Sequence, residues 1–240
     1  MRVPRVLRAV VVVGVLLGGL FVGLDRWAVG YAENRMAERF EARTGGVGGV
    51  RVDIAGFPFL TQALSHDLDR VDLTADRLTV KAPEGREAAL SQLRATFHEV
   101  GLNGDYSGGT AKRAEGSALL SYPDLTSAAQ RGVTIAYGGA PGKVKVTAAV
   151  EFMGRTLSRS VISTVSLVDG KDGGKVVRVH ADEVPGEGLP GIEAAVRKRT
   201  DFDRDLGGGL PSGLRLTALT AQEDGLKLVL GGTNVVLAGS

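Results

Sequence analysis

Apolar residues recur at every second position along most of the chain after residue 50, and this pattern limits the fold more than any other feature. One clear example is the row Val144, Val146, Ala148, Val150 and Phe152, with Lys145, Thr147 and Glu151 between its members. A period of two is typical of a strand with one face buried and the other in water. The same alternation occurs in residues 50–54, 71–75, 93–97, 133–137, 177–181, 214–218, 226–230 and 235–237. Turn sequences such as GGAPG, DGKDGG and EDG separate several of these runs, so we predict about ten antiparallel strands.

Helical patterns after residue 50 are few. The segment SYPDLTSAAQRG predicts a short helix that begins near Pro123 or Asp124 and ends at Gly132. The segment LPGIEAAVRKRTDFDRDLGGG predicts a longer helix, ended by the glycines at 207–209, in which Phe202 can face a sheet. We therefore predict an α+β fold in which a large curved antiparallel sheet is wrapped on two or three helices.

The N-terminus carries an export signal. Arg2, Arg5 and Arg8 precede an apolar run of sixteen residues, 9–24, which is close to the length that spans a bilayer. By the positive-inside rule, the rest of the chain lies on the extracytoplasmic face of the cytoplasmic membrane. Residues 1–24 are either a signal anchor or a signal peptide cleaved near Gly30, and the sequence leaves both interpretations open.

An amphipathic helix is predicted directly after the apolar run, over residues 25–44. Trp27 and Tyr31 lie one turn apart in it, as do Ala32, Met36 and Phe40. Trp27 and Tyr31 also suit the aromatic belt at a membrane surface. The remaining residues, 45–240, form the predicted exported domain.

Charge and composition exclude several functions. Once the three N-terminal arginines are set aside, 26 of the 29 basic residues remain against 27 acidic ones, and the basic residues are dispersed. We therefore predict no nucleic-acid partner. The chain has no cysteine, so it has no disulfide, thiolate metal site or cysteine nucleophile.

Candidate catalytic residues are sparse. The three histidines, His66, His98 and His180, are far apart in the sequence and lack metal-ligand spacing. Asp201, Asp203 and Asp205 are the one acidic cluster that suggests a metal or sugar site, although in a helix basic neighbours would compensate their charge. The sequence also has no phosphate-binding glycine loop and no G-x-S-x-G motif. We predict a protein that is not an enzyme, without cofactor or metal, and keep glycosyl transfer or hydrolysis only as a minor alternative.

The stretch GFPFL, residues 56–60, places two phenylalanines around a proline in a chain with only seven phenylalanines. Gly56 lets the backbone leave the strand, and Pro58 restricts both its own φ and the conformation of Phe57. The two rings are then held in fixed directions. Such a corner either lines the mouth of an apolar groove or closes one end of the core, and both interpretations stay open.

Five segments together resemble the LmeA-like phospholipid-binding family of actinobacteria, and GFPFLTQ is the most specific of them. The others, in order, are VDLTADRLTV, GSALLSYPDL, IAYGGAPGKVKVTAAV and GGGLPSGLRLTAL. The family is similar in architecture to tubular lipid-binding proteins, in which a curved sheet wrapped on helices encloses an acyl-chain groove. The resemblance implies an exported phospholipid-binding protein that supports the assembly of envelope lipids or lipoglycans.

The resemblance supplies no ligand-contact residues, so the candidate lipid-binding residues come from the apolar pattern. They are Phe57, Pro58, Phe59, Leu60, Phe97, Val150, Phe152 and Phe202. The expected partners are phospholipid and the cytoplasmic membrane, with envelope biosynthetic enzymes as further candidates. The alternative function is a non-catalytic envelope adaptor or scaffold with a filled core and no lipid ligand; an apolar cavity open to solvent would favour lipid binding.

Overall fold

The computed structural model describes residues 5–44, 49–81, 87–129, 132–152, 155–170, 175–182, 202–205 and 210–237. Its helices are α1 (Arg5–Thr44), α2 (Phe59–Ser65) and α3 (Tyr122–Ala128). Its strands are β1 (Arg51–Ala55), β2 (Asp67–Lys81), β3 (Glu87–Leu102), β4 (Gly109–Ser121), β5 (Val133–Tyr137), β6 (Lys143–Phe152), β7 (Arg155–Asp169), β8 (Lys175–Ala181), β9 (Phe202–Asp205), β10 (Leu214–Gln222) and β11 (Gly225–Leu237).

The predicted α+β class is confirmed, but the strands form two antiparallel sheets rather than one. The large sheet has the order β1-β2-β3-β4-β11-β10, and the small sheet has the order β5-β6-β7-β8-β9. The two sheets meet near Gly142, whose N–H donates to the carbonyl of Ala221 on β10 and whose carbonyl accepts from Val165 on β7. The two sheets share one apolar cluster. Each sheet therefore buries an apolar face against the other, and one continuous sheet is not needed.

Each predicted strand overlaps an observed strand, although Val50 lies one residue before β1, and the two runs at 226–230 and 235–237 are parts of the single strand β11. The short helix at SYPDLTSAAQRG is confirmed as α3, although it ends at Ala128 rather than at Gly132. It begins one residue before Pro123, because the side chain of Ser121 accepts a hydrogen bond from the Asp124 N–H and so caps it.

The longer helix predicted within residues 189–209 is wrong at its C-terminal end. Phe202–Asp205 form the edge strand β9, in which Phe202 pairs with Val179 and Asp205 with Val176. Pairing with the open edge of β8 overrides the helical pattern at this point. Asp203 and Asp205 therefore lie in a strand rather than in a helix, and Asp201 lies outside the described residues. Residues 189–201 and 206–209 of this segment lie outside the described residues.

Three apolar clusters account for most of the described core. The first lies between α1, α2 and the large sheet and contains Val29, Val52, Phe59, Leu68, Val71 and Val100. The second lies between the two sheets and contains Val144, Val165, Val177, Val179, Leu216 and Leu226. A third, around Ala75, Leu93 and Ala118, extends the first cluster toward Phe40 on α1. The N-terminal helix is thus packed against the folded domain along residues 28–40.

Candidate functional site

The apolar face of the large sheet carries two cross-strand rows with small residues at their centre. In the first row Leu73, Ala95, Gly116, Leu230 and Leu216 are paired in register across β2, β3, β4, β11 and β10. In the second row Val71, Phe97, Ala114, Gly232 and Leu214 are paired across the same strands. Residues paired in register point to the same face of a sheet, so the two rows form a trough with a low floor and large aliphatic or aromatic walls. We call these ten residues the trough.

The floor of the trough is low because β4 presents only small side chains along it. Ala111, Ala114, Gly116 and Ala118 are its inward residues between Gly109 and Leu119. Position 116 requires glycine, because a Cβ there would lie only 2.9 Å from the backbone oxygen of Arg94 on β3. Sheet packing therefore keeps the floor without a side chain at that point.

Ala95 and Gly116, at the centre of the trough, are half-buried, as are Leu73, Phe97 and Leu230, whereas Ala114 and Ala118 on either side are buried. Leu73 and Phe97 pack against the first core cluster, while Leu230 packs against the second. The trough thus lies between the two clusters.

The predicted corner divides its two phenylalanines between different environments. Gly56 has a φ of +105°, as the departure from strand geometry requires, and the peptide bond between Phe57 and Pro58 is cis. Phe59 is 8% exposed and belongs to the first core cluster, whereas Phe57 is 58% exposed. Pro58 and Leu60 are half-buried. The structure therefore does not bring the two rings together, and a lipid-contact role for the corner stays a prediction.

The other predicted lipid-binding residues are placed unequally. Phe97 lies in the trough. Val150 and Phe152 lie on β6 and Phe202 lies on β9, but the side chains of these three are outside the described residues. Sequence reasoning missed the small residues of β4, because it searched for large apolar side chains. The spacing of Ala111, Ala114, Gly116 and Ala118 was the available signal.

The N-terminal helix is joined to the domain by two polar contacts, of which that of Asp25 is buried. The carboxylate of Asp25 is 0% exposed and accepts hydrogen bonds from the Leu60 N–H at 2.8 Å and from the Arg26 guanidinium at 2.8 Å. Leu60 is the second residue of α2, so Asp25 caps that helix from outside. About two turns further along α1, the carboxylate of Glu33 accepts a hydrogen bond from the Ile54 N–H on β1 at 2.8 Å.

Titratable groups in the described residues show structural pairing rather than a reactive cluster. The Lys112 ammonium lowers the pKa of Glu99, and the Ser107 amide lowers that of Asp105. Burial raises the pKa of Asp182, but hydrogen bonds from Lys143 and Thr164 together lower it by more than burial raises it. The pKa of Asp182 therefore lies below its ordinary value. A general acid needs the opposite shift. His66 stacks on Tyr106 and His98 bonds to Glu115.

Within the part of the chain that the structure describes, no three His, Asp or Glu side chains lie close enough to hold a metal ion. A cavity of about 640 Å³ lies along β4, β10 and β11. Its lining combines the polar side chains of Arg113, Glu115, Arg215 and Thr217 with the trough residues Ala114, Leu230 and Gly232.

A comparison with known protein families matches residues 23–230 to the family described as LmeA-like phospholipid-binding. That match spans most of the 240 residues. The chain belongs to the LmeA-like phospholipid-binding family. No curated protein and no solved structure matches it significantly.

Membership of the LmeA-like family supports phospholipid binding and confirms the resemblance read from the sequence. The family description names a binding role, not a catalytic one. The LmeA-like match begins at residue 23 and therefore includes Asp25 and the part of α1 that packs on the domain. It also includes every residue of the trough except Gly232.

Proposed function

We propose that this chain is an exported phospholipid-binding protein, held at the membrane by α1, in which the acyl chains of the lipid lie in the trough. The observation that carries the proposal is the half-buried centre of the trough, on the apolar face of the large sheet, in a chain of a phospholipid-binding family. A filled core would leave no such row of accessible apolar residues between two packed clusters.

The chemistry of the trough suits an acyl chain better than a headgroup. Its ten residues are alanine, glycine, valine, leucine and phenylalanine, so they offer no side-chain hydrogen bond. Each buried methylene contributes about 0.8 kcal/mol. About eight buried methylenes therefore approach the free energy of micromolar binding, before the cost of ordering the lipid is subtracted.

The first part of α1 supports a membrane anchor. The segment Val13–Ala42 is long and apolar enough to cross a bilayer, with a mean hydropathy of 1.4. Residues 13–24 are exposed on every side of the helix, whereas the helix packs on the domain from Ala28 onward. A helix that is apolar all round needs an apolar environment, and a lipid bilayer supplies one to residues 9–24.

The contacts of α1 favour an anchor that is retained over a signal peptide that is removed. Cleavage near Gly30 would take away the buried carboxylate of Asp25, which caps α2, and the side chain of Val29, which is 7% exposed in the first core cluster. Both groups belong to the folded domain. A mature protein without them would have an uncapped α2 and a cavity beside Phe59.

The biological role that we propose is support of envelope lipid or lipoglycan assembly on the extracytoplasmic side of the membrane. It rests on the resemblance to the LmeA-like family stated above and on the N-terminal arginines, which favour export. Envelope biosynthetic enzymes are then natural partners, because a lipid carrier must deliver its ligand to the protein that uses it.

Binding to phospholipids of different chain lengths tests the proposal. If the trough holds acyl chains, removing four methylenes from a chain that lies in it should weaken binding by about 3 kcal/mol, or more than a hundredfold. Raising the salt concentration to about 0.5 M should change the affinity by less than tenfold, because the domain is close to neutral and salt screens only charge interactions. A steep salt dependence with no effect of chain length would contradict lipid binding in the trough.

A further inference from the structure

Large aromatic side chains are exposed where α1 enters the domain. Trp27 is 70% exposed and stacks on Tyr31, with the ring centroids 5.9 Å apart. Phe57, at 58% exposure, comes from the folded domain and lies under the Arg26 guanidinium, 5.4 Å from its ring centroid. We call Arg26, Trp27, Tyr31 and Phe57 the junction patch. Aromatic rings of this size are usually buried unless a second surface covers them.

The position of the junction patch along α1 identifies the surface that covers it. Residues 9–24 form sixteen residues of helix, or about 24 Å at 1.5 Å per residue, which is shorter than the hydrocarbon core of about 30 Å. The short span leaves no spare length, so the membrane surface must lie next to Leu24. Trp27 is then about 4 to 5 Å beyond the end of the span, within the interfacial layer where tryptophan and tyrosine accumulate.

Phe57 is fixed at the same level by two contacts on neighbouring residues of α1. The Asp25 carboxylate binds the Leu60 N–H, and the Arg26 guanidinium covers the Phe57 ring. Arg26 is half-exposed, with a side-chain exposure of 52%, and its charge complements lipid phosphate groups. The domain therefore cannot move away from the membrane surface without breaking the Asp25 cap.

We propose that the junction patch is a membrane-docking surface, at which Phe57 of the folded domain lies in the headgroup layer of the same bilayer that α1 spans. This inference rests on the proposed function, because it requires α1 to be a retained anchor. It assigns to the GFPFL corner a role in seating the domain on the bilayer rather than in lining the trough. The partner is the lipid surface itself, with its phosphate groups near Arg26 and its upper acyl region near Phe57.

The single tryptophan of the chain makes the proposal measurable. Trp27 reports on its own position in the full-length protein. Two variants move the single tryptophan, each in a Trp27→Phe background. Phe57→Trp places it in the GFPFL corner. Ile162→Trp, the matched control, places it at a 36% exposed apolar position on β7 of the small sheet. Each protein is reconstituted in nanodiscs of phosphatidylcholine and phosphatidylglycerol that contain phospholipid brominated near the glycerol end of its acyl chains. The fraction of tryptophan fluorescence quenched by bromine is then compared between the proteins with tryptophan at position 27, 57 or 162.

We expect strong quenching of Trp27 and of the tryptophan at 57, and at least threefold weaker quenching of the tryptophan at 162. If the tryptophan at 57 is quenched no more than that at 162 while Trp27 is quenched, the docking proposal is overturned and the membrane anchor stands. If Trp27 also escapes quenching, α1 does not place this end of the domain at a bilayer, and the anchor in the proposed function fails. Thermal unfolding of each variant confirms that the signal comes from folded protein.

Discussion

Truncation of the two phenylalanines of the corner should have very different effects on stability. Phe59 is 8% exposed within the first core cluster, so Phe59→Ala leaves a cavity and should cost about 3 to 5 kcal/mol. Phe57 is 58% exposed, so less than half of the roughly 1.5 to 3 kcal/mol for burying such a ring is lost in Phe57→Ala. The contact with Arg26 adds about 0.5 kcal/mol at an exposed site. The expected total for Phe57→Ala is about 1 to 2 kcal/mol.

Thermal unfolding of the full-length protein in nanodiscs, followed by circular dichroism, measures this difference. For a domain of this size about 1 kcal/mol shifts Tm by about 2 to 4 °C. Phe59→Ala should therefore lower Tm by about 10 °C or more and Phe57→Ala by about 4 °C. Phospholipid binding by the same variants, measured well below Tm, decides the contact role left open for the corner. We expect both folded variants to keep the wild-type affinity, because neither ring lies in the trough.

Two results would refute this reasoning. Equal losses of Tm in the two variants would mean that Phe57 is as well packed as Phe59. A specific loss of lipid affinity in Phe57→Ala, without a matching loss of stability, would place the corner at the mouth of the groove.

Three further predictions concern the N-terminus and the small sheet. Asp25→Ala should lower Tm more than Arg26→Ala, because Asp25 is buried at the start of α2 while Arg26 is half-exposed; equal effects would contradict the capping role. A reporter fused after Ser240 should be active only outside the cytoplasm, and the intact mass of the native protein should retain residues 1–30; a cleaved mass would restore the signal peptide. Asp182 has a lowered pKa, so its ionised form stabilises the fold above the unfolded value of 3.8, and this contribution is lost as pH falls through the lower folded pKa. Asp182→Asn should therefore flatten the loss of Tm below about pH 4, and an unchanged acid profile would contradict this role for the pairing with Lys143 and Thr164.

Strands with regular alternation were predictable from the sequence, but β4 was not. Its inward residues Ala111 and Ala114 are separated by two outward residues, Lys112 and Arg113. The neighbouring strands compensate with positive φ at Glu99 on β3 and Asn234 on β11, so the inward face is kept across the irregularity. The sequence pattern of one strand cannot reveal that its two neighbouring strands contain a matching irregularity.

The predicted site was incomplete for a related reason. Large apolar residues were easy to recognise, and one of them, Phe97, does lie in the trough. The floor, however, depends on what is missing at Gly116, where the backbone of Arg94 leaves no room for a side chain. Likewise, Phe57 and Phe59 are two residues apart but lie in opposite environments, because α2 begins between them and is capped by Asp25. Contacts that are remote in sequence decide both features.

The central claim is that phospholipid occupies the trough, and native mass spectrometry of protein purified from membranes tests it most directly. Ala95→Phe adds a large ring at the half-buried centre of the trough, while Ala218→Phe adds the same ring at an exposed position on the other face of the large sheet. Wild-type protein and Ala218→Phe should each carry a co-purifying phospholipid, and Ala95→Phe should carry at least tenfold less while remaining folded. Full lipid occupancy in folded Ala95→Phe, or no lipid in the wild-type protein, would contradict the account.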